Sequence, residues 1–150
     1  MKTEEDFEDL LKLFNKNKVK YCVVGGYAVA FHAKPRFTQD MDILVQPYKE
    51  NALKILRSLN SFGFKSIGLS QEDLAKKGKI IQLGYAPIRI DLLTSIDGCT
   101  FDEVWKNKIK GHYGKVSVYF IGLKELIKNK RHTGRPQDKL DLSFLISGKK

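Results

Sequence analysis

Residues 23–45, VVGGYAVAFHAKPRFTQDMDILV, decide how this chain folds. The stretch opens as an apolar strand and then reaches a glycine pair, Gly25 and Gly26. It closes as a second apolar strand that carries Asp40 and Asp42, although aspartate is disfavoured in strands. Something other than packing must therefore account for two carboxylates at the start of a buried strand.

The spacing of the carboxylates indicates a cation. Asp40 and Asp42 lie one residue apart, so in a strand they share one face, while Met41 and Ile43 point the other way, into the core. Two carboxylates this close repel each other, and burial adds to the cost. A divalent cation offsets both effects, because Mg²⁺ binds hard oxygen ligands. Asp91, in the apolar run PIRIDLLT, completes the set if its strand neighbours the first one.

A three-carboxylate site has a known use. Two Mg²⁺ ions held about 3.5–4 Å apart clamp the attacking and leaving oxygens of a phosphoryl displacement. Each aspartate also has a simpler interpretation, however: Asp40 would cap a turn after Thr38, and Asp91 would pair with Arg89 across solvent. The sequence leaves these alternatives open. All three aspartates occurring together, downstream of a glycine pair, favour the metal site.

The glycine pair predicts a phosphate contact. Gly25 and Gly26 allow a close approach of the backbone, and the N–H groups at the start of a following helix attract an anion. The pair is a weak signal by itself. It fits neither the dinucleotide fingerprint, which needs a third glycine, nor a Walker loop, which needs Lys-Ser/Thr.

Hydrophobic periodicity and turn residues predict helices mixed with strands. At 150 residues this pattern is typical of one α/β or α+β domain, residues 1–150, with a helical N-terminal arm over 1–18 and a helical, basic C-terminal segment over 122–147. The predicted helices are 4–16, 27–33, 48–62 (ended by Gly63), a short helix capped by Ser70, 100–107, 122–131 and 136–146; the predicted strands are 19–26, 40–45, 64–67, 79–93 (two strands about a turn) and 115–121.

The charge distribution favours an anionic substrate. The net charge is +10, and residues 104–150 carry 12 Lys/Arg against 3 Asp/Glu, whereas residues 1–103 carry 15 against 14. A one-sided basic region attracts nucleoside triphosphates or RNA, although a solvated lysine face is the simpler explanation. No apolar stretch is long enough to cross a bilayer, no signal peptide is recognisable, and two cysteines are too few for a disulfide framework. We therefore expect a cytoplasmic protein without a membrane partner.

The combined pattern resembles the signature of the DNA polymerase β-like nucleotidyltransferase superfamily. The residues that carry it are Val24, Gly25-Gly26, Asp40-Met41-Asp42-Ile43 and Ile90-Asp91-Leu92. The opening stretch and the tail, FIGLKELIKNKRHTGRPQDKLDLSFL, are further similar to small nucleotidyltransferases related to the AbiEii abortive-infection toxins. The resemblance implies an α/β (α+β) nucleotidyltransferase fold, in which helices flank a mixed sheet.

The same resemblance implies the roles of individual residues. Asp40, Asp42 and Asp91 would be the catalytic residues and the ligands of Mg²⁺, with Mn²⁺ as the alternative ion. Asp91 would also help to activate the acceptor hydroxyl. The triphosphate of an NTP would contact the remaining set: Gly25, Gly26, Arg36, Thr38, Lys130 and Arg135.

Two features of the motif qualify this assignment. Many members of the superfamily have serine where this chain has Gly26, so any phosphate contact there comes from the backbone. Asp138, which matches the acidic position of the tail motif, is equally well explained as a structural partner of Arg135.

Two functions follow from the sequence. The favoured one is a Mg²⁺-dependent transfer of a nucleoside monophosphate from an NTP to a hydroxyl of RNA or tRNA, a protein or a small molecule. By family analogy the enzyme would be a toxin with a cognate antitoxin, or a homo-oligomer that shares acceptor binding. The alternative is a non-catalytic nucleotide- or RNA-binding module, or a partner-binding subunit that retains the fold. The sequence does not select the base or the acceptor.

Overall fold

The computed structural model describes residues 4–35, 38–64, 68–85 and 87–147. Arg36 and most of the predicted strand at 64–67 lie outside these ranges. The elements are α1 (Glu5–Lys16), β1 (Tyr21–Val24), α2 (Gly25–His32), β2 (Asp40–Val45), α3 (Lys49–Phe62), α4 (Gln71–Ala75), β3 (Ile80–Tyr85), β4 (Ile88–Leu93), α5 (Phe101–Lys106), β5 (Ile109–Tyr113), β6 (Val116–Phe120), α6 (Leu123–Thr133) and α7 (Pro136–Ser147).

The strands form one mixed sheet in the order β3-β4-β2-β1-β6-β5. β2 runs parallel to β4, and β1 runs parallel to β6. The pairs β1–β2, β3–β4 and β5–β6 are antiparallel. The predicted fold class, a mixed sheet flanked by helices, is confirmed, and β2 and β4 are neighbours as the carboxylate hypothesis requires.

The helices attach to the sheet through apolar faces that the sequence predicts. In α1 the side chains of Phe7, Leu10, Leu11 and Phe14 are fully buried, and each contributes about 1.5–3 kcal/mol of hydrophobic stabilisation. α3 ends at Gly63, which has a φ of +114°. No helix among the described residues is long and apolar enough to cross a membrane.

Two elements differ from the prediction. β5 was not predicted, because IKGHY contains glycine and mostly exposed side chains, and its hydrogen bonds to β6 at the sheet edge stabilise it instead. Helix α2 begins at Gly25 rather than after a separate glycine turn. The glycines are therefore the first helical turn itself, which brings its N–H groups directly to the end of β1.

Candidate active site

The parallel register of β2 and β4 brings two of the three aspartates side by side. Asp42 is the register partner of Asp91, and Asp40 is the partner of Arg89. On the other side of β2, Asp42 lies opposite Val24, the last residue of β1. The buried Met41 and Ile43 turn to the opposite face, as the alternation of a strand predicts.

Both the backbone conformation at position 25 and the atoms around it require glycine. Its φ is +69°, a conformation that favours glycine. A Cβ atom built on Gly25 would overlap the carboxylate oxygen Oδ2 of Asp42 and would lie 3.1 Å from its Cγ atom. The end of β1 therefore approaches Asp42 as closely as a residue without a side chain allows.

Replacing Gly25 with alanine should displace Asp42 and destabilise the protein. The positive φ alone costs about 1–2 kcal/mol, and the collision with Asp42 adds to it. Gly68→Ala is a matched control, because Gly68 has a φ of +72° but nothing within 4 Å of a built Cβ atom. Chemical unfolding should show a clearly larger loss of stability for Gly25→Ala. Equal losses would mean that the approach to Asp42 has no energetic consequence.

Asp91 is held by an arginine on its own strand. Arg89 donates from Nε to Oδ1 and from Nη2 to Oδ2 of Asp91, both at 3.0 Å. Its Nε atom also lies 3.7 Å from Oδ2 of Asp40. The pairing of Asp91 with Arg89, one of the sequence-based alternatives, is thus present. Within the described residues no three His, Cys, Asp or Glu side chains are gathered in an arrangement ready to hold a metal ion.

Asp42 is partly buried and lies near two other carboxylates. Burial, followed by the negative charges of Asp91 and Asp40, raises the pKa of Asp42 from 3.8 to about 6, although Lys130 and Arg135 act in the opposite direction. The carboxylate has few compensating partners, so the site favours either a proton or a cation at this position.

A cavity of about 340 Å³ opens beside Asp42. Gly25, Asp42 and Asp91 form one part of its wall, and Lys130 and Arg135 from the C-terminal helices form another. The structure therefore brings together predicted residues from three distant parts of the chain. The remaining wall includes Ile80, Leu93, Ser95, Ile96, Asp97, Asn129 and Thr133.

Lys130 and Arg135 differ in how much of their positive charge is accessible to a ligand in the cavity. Lys130 is 6% exposed, and its Nζ atom lies 3.1 Å from Asp138 and 3.2 Å from Asp141, which are both fully buried. Arg135 also pairs with Asp138, at 2.9 Å, but its side chain is 72% exposed. Burial acts to raise the pKa of Asp138, yet hydrogen bonds from Arg135, Thr133 and Lys130 outweigh it and lower that pKa. Asp138 is thus a structural partner of both basic residues.

Comparison with known proteins places this chain in a family. Residues 4–145 match the family described as "Nucleotidyltransferase of unknown function (DUF6036)". The chain belongs to this nucleotidyltransferase family. Its membership confirms the predicted activity class, whereas the narrower resemblance to AbiEii-type toxins stays a prediction. No curated protein matches the chain.

Solved structures share the fold of this nucleotidyltransferase. The lincosamide antibiotic adenylyltransferase LnuA, lincomycin-bound, has a TM-score of 0.60 and 19% identity over 97% of both chains. ANT(2")-Ia in complex with adenylyl-2"-tobramycin has a TM-score of 0.59 and 10% identity over 94% of this chain and 86% of that chain. An antigenic nucleotidyltransferase-like protein from Paracoccidioides brasiliensis has a TM-score of 0.56 and 10% identity, covering 97% of this chain and 76% of that chain. These likenesses confirm the predicted nucleotidyltransferase fold.

The structure separates some predicted residues of the nucleotidyltransferase from the cavity. Gly26 is buried in the first turn of α2, and Thr38 accepts a hydrogen bond at its carbonyl from the Tyr27 hydroxyl, at 3.2 Å. Neither is among the described residues that line the cavity. Arg36 lies outside the described residues, so its predicted phosphate contact stays a prediction.

Sequence reasoning missed several polar residues of the cavity. Asn129 is 8% exposed and donates to the Asp97 carbonyl at 2.8 Å, which ties α6 to the loop after β4. The only available signal was position: Asn129 immediately precedes Lys130 in the tail motif, and Asp97 follows the strand of Asp91. Such loop residues have no spacing rule that connects them before the fold is known.

Proposed function

We propose that this nucleotidyltransferase transfers a nucleoside monophosphate from an NTP to a hydroxyl acceptor in a Mg²⁺-dependent reaction. The observation that carries the proposal is the parallel register that sets Asp42 beside Asp91, next to the glycine start of α2. Asp40, Asp42 and Asp91 are the proposed metal ligands and catalytic residues.

The residues present fit a divalent cation, Mg²⁺ or Mn²⁺. Three carboxylates supply hard oxygen donors on adjacent strands, and a bound cation would counter the burial and the neighbouring negative charges that raise the pKa of Asp42. Arg89 already contributes a positive charge between Asp40 and Asp91. A bound ion would neutralise charge that develops on the phosphate oxygens.

The start of α2 supports binding of the triphosphate. Its N-cap, Val24, provides no side-chain hydrogen bond, and no acidic residue lies in the first turn. Free N–H groups at a helix N-terminus attract anions, so Gly25 and Gly26 would present backbone donors to phosphate oxygens. The exposed Arg135 would add charge from the other wall. Lys130, whose charge is largely compensated by Asp138 and Asp141, remains a proposed contact, as do Arg36 and Thr38 from the segment between α2 and β2.

In the proposed reaction the acceptor oxygen attacks the α-phosphorus of the NTP. The bond from that phosphorus to the bridging oxygen of the β-phosphate breaks, and pyrophosphate leaves. Asp91 would accept the hydroxyl proton, which requires its carboxylate to separate from Arg89. Positioning and electrostatic stabilisation supply most of the rate in such transfers.

Replacing Arg89 with glutamine should therefore make metal binding easier. The guanidinium competes with the ion for Asp91, and an ion pair exposed to this degree is worth up to about 1 kcal/mol. We expect the half-saturating Mg²⁺ concentration to fall about threefold, measured by nucleotide binding at increasing Mg²⁺. Arg89→Lys keeps the charge and should stay near the wild-type value. A rise for Arg89→Gln would instead assign Arg89 to nucleotide binding.

The proposed acceptor hydroxyl belongs to a small molecule, to RNA or tRNA, or to a protein. Two fold neighbours carry small hydroxylated antibiotics in their descriptions, so a small hydroxylated molecule is the first class to test. RNA or tRNA and protein acceptors follow, as does an AbiEii-like toxin role with an antitoxin partner. Each acceptor class uses the same proposed phosphoryl chemistry.

The transfer itself can be tested with labelled nucleotides. Purified protein and Mg²⁺ are incubated with each NTP, labelled at either the α- or the γ-phosphate, and with pools of RNA, protein or hydroxylated antibiotics. The proposal predicts that α-label enters one acceptor pool, that γ-label appears in pyrophosphate, and that Asp42→Asn eliminates both. Failure of transfer in every pool, or transfer of γ-label, would contradict it and favour a non-catalytic binding module.

A further inference from the structure

A second and larger cleft lies at the other end of β1. Its volume is about 610 Å³, against about 340 Å³ for the cavity beside Asp42. Lys18 and Lys20 enter it from the segment between α1 and β1, Lys54 from α3, and Lys110 from β5. The start of β1 thus carries a concentration of positive charge that the proposed catalysis does not use.

The lysines of this cleft are not neutralised by the protein. No aspartate or glutamate is among the described residues that line it. Within the described part of the chain, none of the four lysines forms an ion pair. A concave surface with charge of one sign focuses the field and raises the local concentration of ions of the opposite charge.

Lys18 occupies a backbone conformation that normally selects glycine. It follows the C-cap of α1 with a φ of +59°, the only positive φ of a non-glycine residue in the described chain. Glycine is the usual residue at this position after a helix. Lys18 therefore adds charge to the cleft although its backbone conformation is unfavourable for a residue with a side chain. Such unfavourable conformations are often found at functional sites.

Polar and aromatic side chains complete the lining of the cleft. Asn15 donates to the Ser117 carbonyl at 2.6 Å and accepts from the Tyr21 hydroxyl at 2.9 Å. Trp105 packs edge-on against Tyr119, and the Nζ atom of Lys108 lies 3.9 Å from the centre of the Trp105 ring. Phe101 also stacks on the indole, and the Nζ atom of Lys20 lies 5.9 Å from the ring centre, so Trp105 does not offer a free stacking face.

We propose that this lysine cleft binds the phosphodiester backbone of a single-stranded nucleic acid. Lysine binds phosphate as a compact point charge, and four lysines but no aspartate or glutamate are among the described lining residues. A cleft of about 610 Å³ accommodates a short stretch of one strand but not a duplex. Because the bases gain no free aromatic platform, the binding is independent of sequence.

The cleft is separate from the proposed catalytic site. Lys20 precedes β1, and Gly25 follows it, so the two sites are roughly 15 Å apart along the strand. Binding at the cleft requires neither an NTP nor a metal ion. Binding of nucleic acid at the cleft can therefore be present or absent whether or not the protein transfers nucleotides.

The test measures binding of labelled single-stranded RNA and DNA of one mixed sequence by fluorescence anisotropy, in EDTA and without nucleotide. The triple variant Lys20→Gln/Lys54→Gln/Lys110→Gln should bind both oligonucleotides at least tenfold more weakly. Each lost phosphate contact reduces the slope of log affinity against log salt by about 0.7. The slope for the triple variant should therefore be smaller by roughly 2. Each single variant should lose two- to threefold in affinity, which preserves the test if the triple variant fails to fold.

A charge-matched control distinguishes the effect of the cleft lysines on binding from the effect of net charge. Lys12, Lys76 and Lys139 are exposed and lie outside the cleft, so their triple glutamine variant removes the same charge. It should bind within threefold of wild type. The proposal would be overturned if both triple variants bound equally weakly, or if the wild type did not bind. It would also be overturned if polyglutamate at equal charge concentration displaced the oligonucleotide, which would assign the cleft to an acidic polypeptide.

Discussion

Asp42→Asn is expected to stabilise the metal-free protein at pH 8 while it abolishes nucleotidyl transfer. Burial, followed by the charges of Asp91 and Asp40, raises the pKa of Asp42 to about 6. The difference from the ordinary value of 3.8 corresponds to about 3 kcal/mol, and partial exposure of the side chain reduces this to about 2 kcal/mol. Asparagine avoids this penalty. As a lost metal ligand, it should slow transfer by about 10²–10³-fold or more.

The stabilisation should depend on pH in a defined direction. The folded-state pKa of Asp42 lies above its unfolded value, so the folded protein holds the proton more tightly. The wild-type protein therefore loses stability as the pH rises from about 4 through about 6. The advantage of Asp42→Asn is full above this window and disappears below it.

Urea unfolding at pH 4, 6 and 8 in EDTA measures this difference. Asp9→Asn, an exposed substitution in α1, is the matched control and should change stability little at any of these values. Addition of Mg²⁺ should stabilise wild type but not Asp42→Asn, because only the former binds the ion. A destabilised Asp42→Asn at pH 8 in EDTA would contradict the proposed charge crowding.

Lys130→Met should lower the free energy of unfolding by about 3–5 kcal/mol. Lys130 is the cation shared by the fully buried Asp138 and Asp141. Methionine has a similar shape but no charge, so both fully buried carboxylates lose an ion-pair partner. Removing one partner from a buried ion pair is among the most costly single changes. Chemical unfolding at pH 7 measures the loss.

Two companion variants identify the cause of that loss. Lys130→Met/Asp141→Asn removes one buried negative charge as well and should recover part of the stability. Arg135→Gln should cost less than Lys130→Met, because Arg135 is 72% exposed and Asp138 keeps its ion pair with Lys130. If Arg135→Gln were as destabilising as Lys130→Met, the distinction between a buried structural lysine and an accessible arginine would be wrong.

The positions of the aspartates were predictable because strand alternation and apolar flanks are local properties. Those rules set Asp40 and Asp42 on one face, and the structure adds the parallel register that aligns Asp42 with Asp91. Register depends on long-range pairing, which no spacing along the chain encodes. The contact between Arg89 and Asp91 was one of the interpretations that the sequence left open, because residues two apart in a strand share a face.

Other parts of the site could not be derived from the sequence. The tail motif marked Lys130 and Arg135 as equivalent basic residues, but burial against Asp138 and Asp141 distinguishes them. Gly25 was expected to face phosphate, while its contact with Asp42 appears only once β1 and β2 are paired. Burial and close approach are properties of the folded chain, so sequence patterns identify the residues and leave their contacts open.

The central claim is that the aspartates form a metal-dependent nucleotide site. The most direct measurement is the melting temperature with a nonhydrolysable NTP analogue, with and without Mg²⁺, for wild type, Asp40→Asn, Asp42→Asn, Asp91→Asn and the control Asp9→Asn. We predict that the analogue raises the melting temperature of wild type and of Asp9→Asn only when Mg²⁺ is present, and that each of the other three variants loses the shift. An equal shift without metal, or one retained by all three variants, would contradict the claim.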